Sequence, residues 1–208
     1  MTRKLGFAAL VILVLSANAF SQENGNDKLQ IFYKSVAAEK IGNYDDAINI
    51  LSKNYGKAKN DYNYNLRLGW LYYLKGDYKN STFYYKNAIR ISEGSIESLL
   101  GITYPYAGSG NTDKLKEIYK QILKKDDLHY QANLNLALIY FNETDYLNAI
   151  NYLEKIQKEY PGDYTANLYL GWANYYVGGT KKAHEYFERA LMALPNDASA
   201  QKGYDATK

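Results

Sequence analysis

Glycine or a single substitute recurs every 34 residues along this 208-residue chain, as Gly42, Gly76, Gly110, Thr144 and Gly178. Two residues after each stand Tyr44, Tyr78, Thr112, Tyr146 and Thr180, and five after each stand Ala47, Ser81, Leu115, Ala149 and Ala183. Nine after each comes a bulky residue: Leu51, Tyr85, Tyr119, Leu153 and Phe187. Upstream, Leu68-Gly69-Trp70, Leu100-Gly101-Ile102, Leu136-Ala137-Leu138 and Leu170-Gly171-Trp172 share a large-small-large triplet. A period in this range marks one supersecondary unit that cannot bury its apolar face alone, so neighbours stack. Helix-period spacing on both sides of a Gly-x-Tyr turn makes that unit two antiparallel helices. The chain is therefore read as all-α, an α-solenoid of about five helix-turn-helix repeats.

Small residues mark where helices approach closely, and large ones fill the adjacent grooves. Gly69, Gly101, Ala137 and Gly171 are expected on first helices, facing the Ala47-type positions of second helices. The units run at about 28–61, 62–94, 95–129, 130–163 and 164–197, with a short cap or tail over 196–208. Two depart from the pattern. The first, with Asn54 and Lys59 at marker positions, reads as a polar N-terminal cap. The third has Gly101 nine residues before Gly110, against seven elsewhere. That spacing suggests a two-residue insertion around Pro105, with a kink or an early helix end there.

These markers resemble the tetratricopeptide repeat. The fifth unit carries them as Leu170, Gly171, Ala183, Phe187, Ala190 and Pro195, with Asn167 and Asn174 where Trp and Tyr are usual. The fourth keeps Leu136, Ala137, Tyr140, Ala149, Ile156 and Pro161, and the second keeps Leu68, Gly69, Tyr72, Tyr85 and Ala88. The resemblance covers residues 28–195. It implies a right-handed superhelix whose first helices line a concave groove that receives a peptide or a partner helix.

Ahead of the repeats, Arg3 and Lys4 precede eleven mostly large apolar residues (Leu5 to Leu15) and the small-residue run Ser16-Ala17-Asn18-Ala19-Phe20-Ser21. Basic start, short apolar core and small residues make a secretory signal peptide over 1–21, cleaved after Ala19 or Ser21, with 22–27 a disordered lead. The alternative is an uncleaved N-terminal anchor in the inner membrane, for which the apolar part is short. Export to the periplasm or the outside of a bacterial cell is the expectation, with no stable membrane insertion after cleavage.

Composition narrows the chemistry. Lys and Arg total 25 against 22 Asp and Glu, and loss of Arg3 and Lys4 leaves 23 against 22. So near-neutral a chain gives no reason to expect nucleic acid. The absence of cysteine removes thiolate nucleophiles and Cys-ligated metal, and two histidines leave little for a His-based site. His129 and His184 each stand alone in sequence and are read as solvated or structural. The adjacent pairs Asp45-Asp46 and Asp126-Asp127 are read as helix-start residues favoured by the macrodipole. No catalytic residue, metal site or cofactor is assigned, and the chain is read as a non-enzyme.

Tyrosine, at 24 residues, is the unusual entry. The resemblance places inward positions at Phe32, Tyr33, Val36 and Glu39, then at Asn63, Arg67, Trp70 and Tyr73. In the third and fourth units it gives Ile102, Pro105, Tyr106, Gln131, Asn135, Leu138, Phe141 and Asn142. The fifth gives Tyr164, Tyr169, Trp172, Tyr175 and Tyr176. From these Arg67, Trp70, Tyr73, Tyr106, Asn135, Phe141, Tyr169, Trp172 and Tyr175 are the candidate partner-binding residues. Trp70 and Trp172 are three periods apart and share one phase. One sub-type of the family clamps a carboxylate with Lys, Asn and Arg, but Phe32 and Val36 stand where its Lys and Asn belong. Tyr and Trp offer large rigid contact area with a polar tip. The expected function is a protein-interaction scaffold of the bacterial envelope. The alternative is a carbohydrate-binding or polysaccharide-export accessory using the same rings as sugar platforms.

Overall fold

The computed structural model describes residues 27–208, and these form helices without a strand. The expected signal peptide, its cleavage sites and most of the expected lead lie outside the described residues. No helix among the described residues is long and apolar enough to cross a membrane. The chain divides into two compact units, one ending at Ser92 and the other spanning Glu93–Lys208.

The first unit holds two helix pairs: α1 (27–40) with α2 (Tyr44–Ala58), and α3 (Tyr62–Leu74) with α4 (Tyr78–Ile91). The second holds three pairs and a single helix. They are α5 (Ile96–Gly108) with α6 (Thr112–Lys125), α7 (Tyr130–Asn142) with α8 (Tyr146–Glu159), α9 (Tyr164–Tyr176) with α10 (Thr180–Ala193), and α11 (Ala198–Ala206). Helices α3, α5, α7, α9 and α11 begin at 62, 96, 130, 164 and 198, one period apart. Each unit is thus a stack of helix-turn-helix repeats, and α11 is a sixth first helix lying against α9 and α10.

Helix starts are set by side chains that accept from orphan backbone N–H groups. Asn43, Asp61, Asp77, Ser95, Asn111, His129, Asp145, Asp163 and Asp197 each accept from the N–H three residues on. Gly179 lacks such a group, and an added Cβ there would sit 3.2 Å from the Asn174 carbonyl oxygen. The pair Asp126-Asp127 does not start a helix. Asp126 caps the C-terminus of α6, and His129 caps α7 through Nδ1, 3.3 Å from the Ala132 N–H.

The turns explain the period. Gly42, Gly76, Gly110 and Gly178 hold φ between 69° and 82°, which side-chain-bearing residues seldom adopt, and Thr144 is held there at 61°. Between repeats, a fully buried Asn satisfies the loop. Asn65 donates to the carbonyls of Lys59 and Asp61, Asn133 to those of Asp127 and His129, and Asn167 to those of Pro161 and Asp163, all within 3.1 Å. The Asn at the usual Trp position is thus a loop clasp.

The small residues of the first helices meet rings. A Cβ on Gly69 would lie 2.9 Å from the Tyr85 ring, and one on Gly171 2.6 Å from Phe187. The Ala47-type position is also engaged, since the Ser81 hydroxyl donates to the Gly69 carbonyl at 2.7 Å.

The third repeat corrects the sequence reading. Helix α5 has 13 residues, as do α3, α7 and α9, and starts in register, so there is no insertion. Counted from the helix start, the partner of Gly69 and Gly171 is Thr103, not Gly101. Pro105 lies inside α5, which continues to Gly108. So late in the helix, proline removes one hydrogen bond with a single turn left to form.

Candidate functional site

Charge is distributed by helix type. Helices α7 and α9 contain no Asp, Glu, Lys or Arg, α3 contains Arg67 alone and α5 Glu97 alone, whereas α6 carries seven such residues. These first helices, with one charged residue or none, are the ones that carry the candidate rings.

In the first unit the single cation of α3 is neutralised internally. Arg67 pairs through Nη2 with Oε2 of Glu39, and Oε1 of Glu39 accepts the Trp70 indole N–H at 2.8 Å. Both charged side chains are largely buried, at 16 and 22% exposure. Trp70 lies against Tyr73 with ring centroids 5.6 Å apart, and Tyr73 against Tyr78 at 6.1 Å. The Arg67 charge is thus already matched by Glu39.

The second unit gathers a larger ring cluster. Tyr169, Trp172 and Tyr176 follow one face of α9 at helical spacing, with Tyr175 beside them. Phe141, near the end of α7, touches Tyr169 at 5.0 Å, Tyr146 at 5.3 Å and Tyr176 at 6.3 Å. Tyr176 stacks on both Tyr146 (4.7 Å) and Trp172 (6.0 Å). Tyr175 crosses this stack, at 89° to Trp172 and 69° to Tyr176. Trp172 is anchored below by Phe187 at 5.0 Å, and its indole N–H donates to the Ser199 hydroxyl of α11 at 3.0 Å. Tyr175 and Tyr176 are 38 and 52% exposed, while Phe141, Tyr146, Tyr169 and Trp172 are half-buried.

Two candidates stand apart. Tyr106 is 8% exposed and packs in the interior, where burial raises its phenol pKa, so it offers no open ring. Asn135 is half-buried and shares a hydrogen bond with Tyr119, as does Thr103. Burial raises the Tyr119 pKa and these two bonds oppose the rise. Tyr146 was missed because its place in the Gly-x-Tyr turn reads as a turn marker.

The histidines are accounted for. His129 is the α7 cap, and the His184 ring stacks on Tyr204 at 4.3 Å and bonds the Thr207 hydroxyl at 3.0 Å, tying α10 to α11. Among the described residues no group of three or more His, Asp or Glu side chains gathers to hold a metal.

Two tetratricopeptide repeat models match, over residues 62–94 and 131–163. The chain is a tetratricopeptide repeat protein. Its repeats are 28% identical over 199 residues to the TPR repeat-containing protein MJ1428 of Methanocaldococcus jannaschii, covering 89% of this chain. The chain spans about a third (34%) of that relative's length. Among solved structures, a tetratricopeptide repeat protein from Parabacteroides merdae superposes with a TM-score of 0.73 at 19% identity, over 88% of this chain and 72% of the other. YrrB, a TPR protein with an unusual peptide-binding site, gives 0.67 at 15% identity, over 90% and 97%. At such identities the likeness concerns the tetratricopeptide fold.

Proposed function

We propose that this chain is a non-catalytic interaction module of the cell envelope that holds a segment of a partner polypeptide on the ring cluster of α7, α8 and α9. The observation that carries this is a connected surface cluster of six rings, five of them on the uncharged helices α7 and α9 and the sixth, Tyr146, at the start of α8. Aromatic side chains bury much area at low entropy cost and dominate binding energies. YrrB, of like fold, has a peptide-binding site. Residues 1–21, with their basic start and short apolar core, support export.

Selection of an unbiased random-peptide library on the protein tests the site. Selected peptides are expected to lose about tenfold or more in affinity on Tyr176→Ala, a half-exposed residue whose truncation spares the core. Peptides that bind the Tyr176→Ala and Tyr175→Ala proteins as well as the parent would move the site elsewhere. N-terminal sequencing of the mature protein tests export. A start at Phe20 or Gln22 is expected, and an intact Met1 in a cytoplasmic fraction would overturn it.

A further inference from the structure

Which polypeptide segment suits this cluster follows from charge, hydrogen-bonding capacity and ring orientation. Resting on the reading that the cluster takes a polypeptide, we infer that its occupant is an extended, uncharged, proline-rich segment in the polyproline II conformation.

Charge comes first. No residue of α7 or α9 can neutralise an ion, and no Lys or Arg of the described residues stacks over Phe141, Tyr146, Tyr169, Trp172, Tyr175 or Tyr176. An anionic segment would shed hydration there without an opposite charge to replace it, and Asp145, the carboxylate beside Tyr146, already accepts from Asn148. In the first unit, the single cation of α3 is already held by Glu39.

Hydrogen bonding comes second. Polyproline II has no internal hydrogen bonds, and its prolines bring no N–H, so such a segment mainly accepts. The phenolic O–H groups of Tyr146, Tyr169, Tyr175 and Tyr176 are donors that bond nothing else among the described residues. A helical partner has its backbone groups satisfied already, and a β-strand needs a sheet edge, of which the described residues have none.

Ring orientation separates proline from sugar. A pyranose platform needs a free flat face, but Tyr176 is stacked with Tyr146 and Trp172, and Tyr175 stands across them. The two most exposed rings, Tyr175 and Tyr176, meet at 69°, an angled pair suited to a compact puckered ring. A second copy of this chain does not fit, because its three prolines are isolated: Pro105, Pro161 and Pro195.

The test uses the full chain carrying Trp70→Phe, which leaves Trp172 as the single indole. Its emission is followed while adding a terminally blocked peptide of repeated Pro-Pro-Ala triplets. A saturable change is expected, weakened about tenfold or more by Tyr176→Ala, by proline-to-alanine replacement in the peptide, and by Glu or Lys at every third position. An equal response to the alanine peptide, or Tyr176-dependent peptides from the random library that lack proline, would overturn this inference and leave the polypeptide reading intact. A response confined to cellohexaose would overturn both.

Discussion

The Tyr130 hydroxyl donates to Oδ2 of Asp163, 2.8 Å away and 33 residues later, while Oδ1 of the same carboxylate accepts the Ala166 N–H at 2.7 Å. One side chain thus caps α9 and receives the first residue of the preceding first helix. Lys28 reaches Asp61, and Tyr164 reaches Asp197, across the same interval. Each cap is oriented by the repeat before it. Tyr130→Phe removes one bond to a carboxylate and should cost about 1 kcal/mol, whereas Asp163→Ala also loses the cap and should cost about 2. Chemical unfolding midpoints measure both, and equal losses would show that Tyr130 adds nothing to the cap.

The same contact gives an alkaline signature. Burial first, then the bond to Asp163, pushes the Tyr130 phenol up to about 12, and burial together with Tyr72 and Tyr55 does the same for Tyr84. Unfolded phenols titrate near 10. Between these values the unfolded chain binds fewer protons than the folded one, so stability is fully present below pH 10 and falls as pH rises toward 12. Tyrosinate absorbance should show a late-titrating class that shrinks by one phenol in Tyr130→Phe and by another in Tyr84→Phe. A single class near 10 in the folded protein would contradict the geometry.

Thr144 occupies a turn that four other repeats give to glycine, at φ 61°. A β-branched residue there costs roughly 1–3 kcal/mol, partly offset because glycine loses more chain entropy on folding. Thr144→Gly should therefore stabilise by about 1 kcal/mol, raising the melting temperature by about 2–4 °C. A lowered melting temperature would mean that the Thr144 side chain makes a contact worth more than the strain.

The period that placed the turns also placed the helix starts, because each start depends on a short capping residue at a fixed distance from the glycine. Register within a helix was less legible. Leu100-Gly101-Ile102 imitates the large-small-large triplet two residues early, and Thr103 hides the true small position. Its hydroxyl bonds the Leu100 carbonyl at 2.6 Å, letting a polar residue stay buried. The ring cluster was legible on α9, where spacing alone sets the face. Asn135 shares the phase of Tyr169, but Tyr106, once α5 is counted from its start at Ile96, falls at the phase of Asn174, and both Tyr106 and Asn174 are buried. Gly203 carried no signal at all, because the period carries the Gly171 position to Asp205 and leaves Gly203 outside the pattern.

That partnership supports a last prediction. A Cβ on Gly203 would lie 2.2 Å from the Phe187 ring, closer than the 2.6 Å at Gly171, so one ring fills the space between α9 and α11. Gly203→Val therefore forces α11 outward or Phe187 off its rotamer, costing about 1–3 kcal/mol. Helix α11 also brings Ser199 to the Trp172 indole N–H, and His184 holds it through Tyr204 and Thr207. In a Trp70→Phe background, Gly203→Val should shift Trp172 emission to the red as the indole loses Ser199 and gains water. Adding Phe187→Leu frees the space that valine needs, so the double variant should regain stability relative to the sum of the single losses. Strict additivity, with unshifted Trp172 emission in Gly203→Val, would separate α11 from the ring cluster.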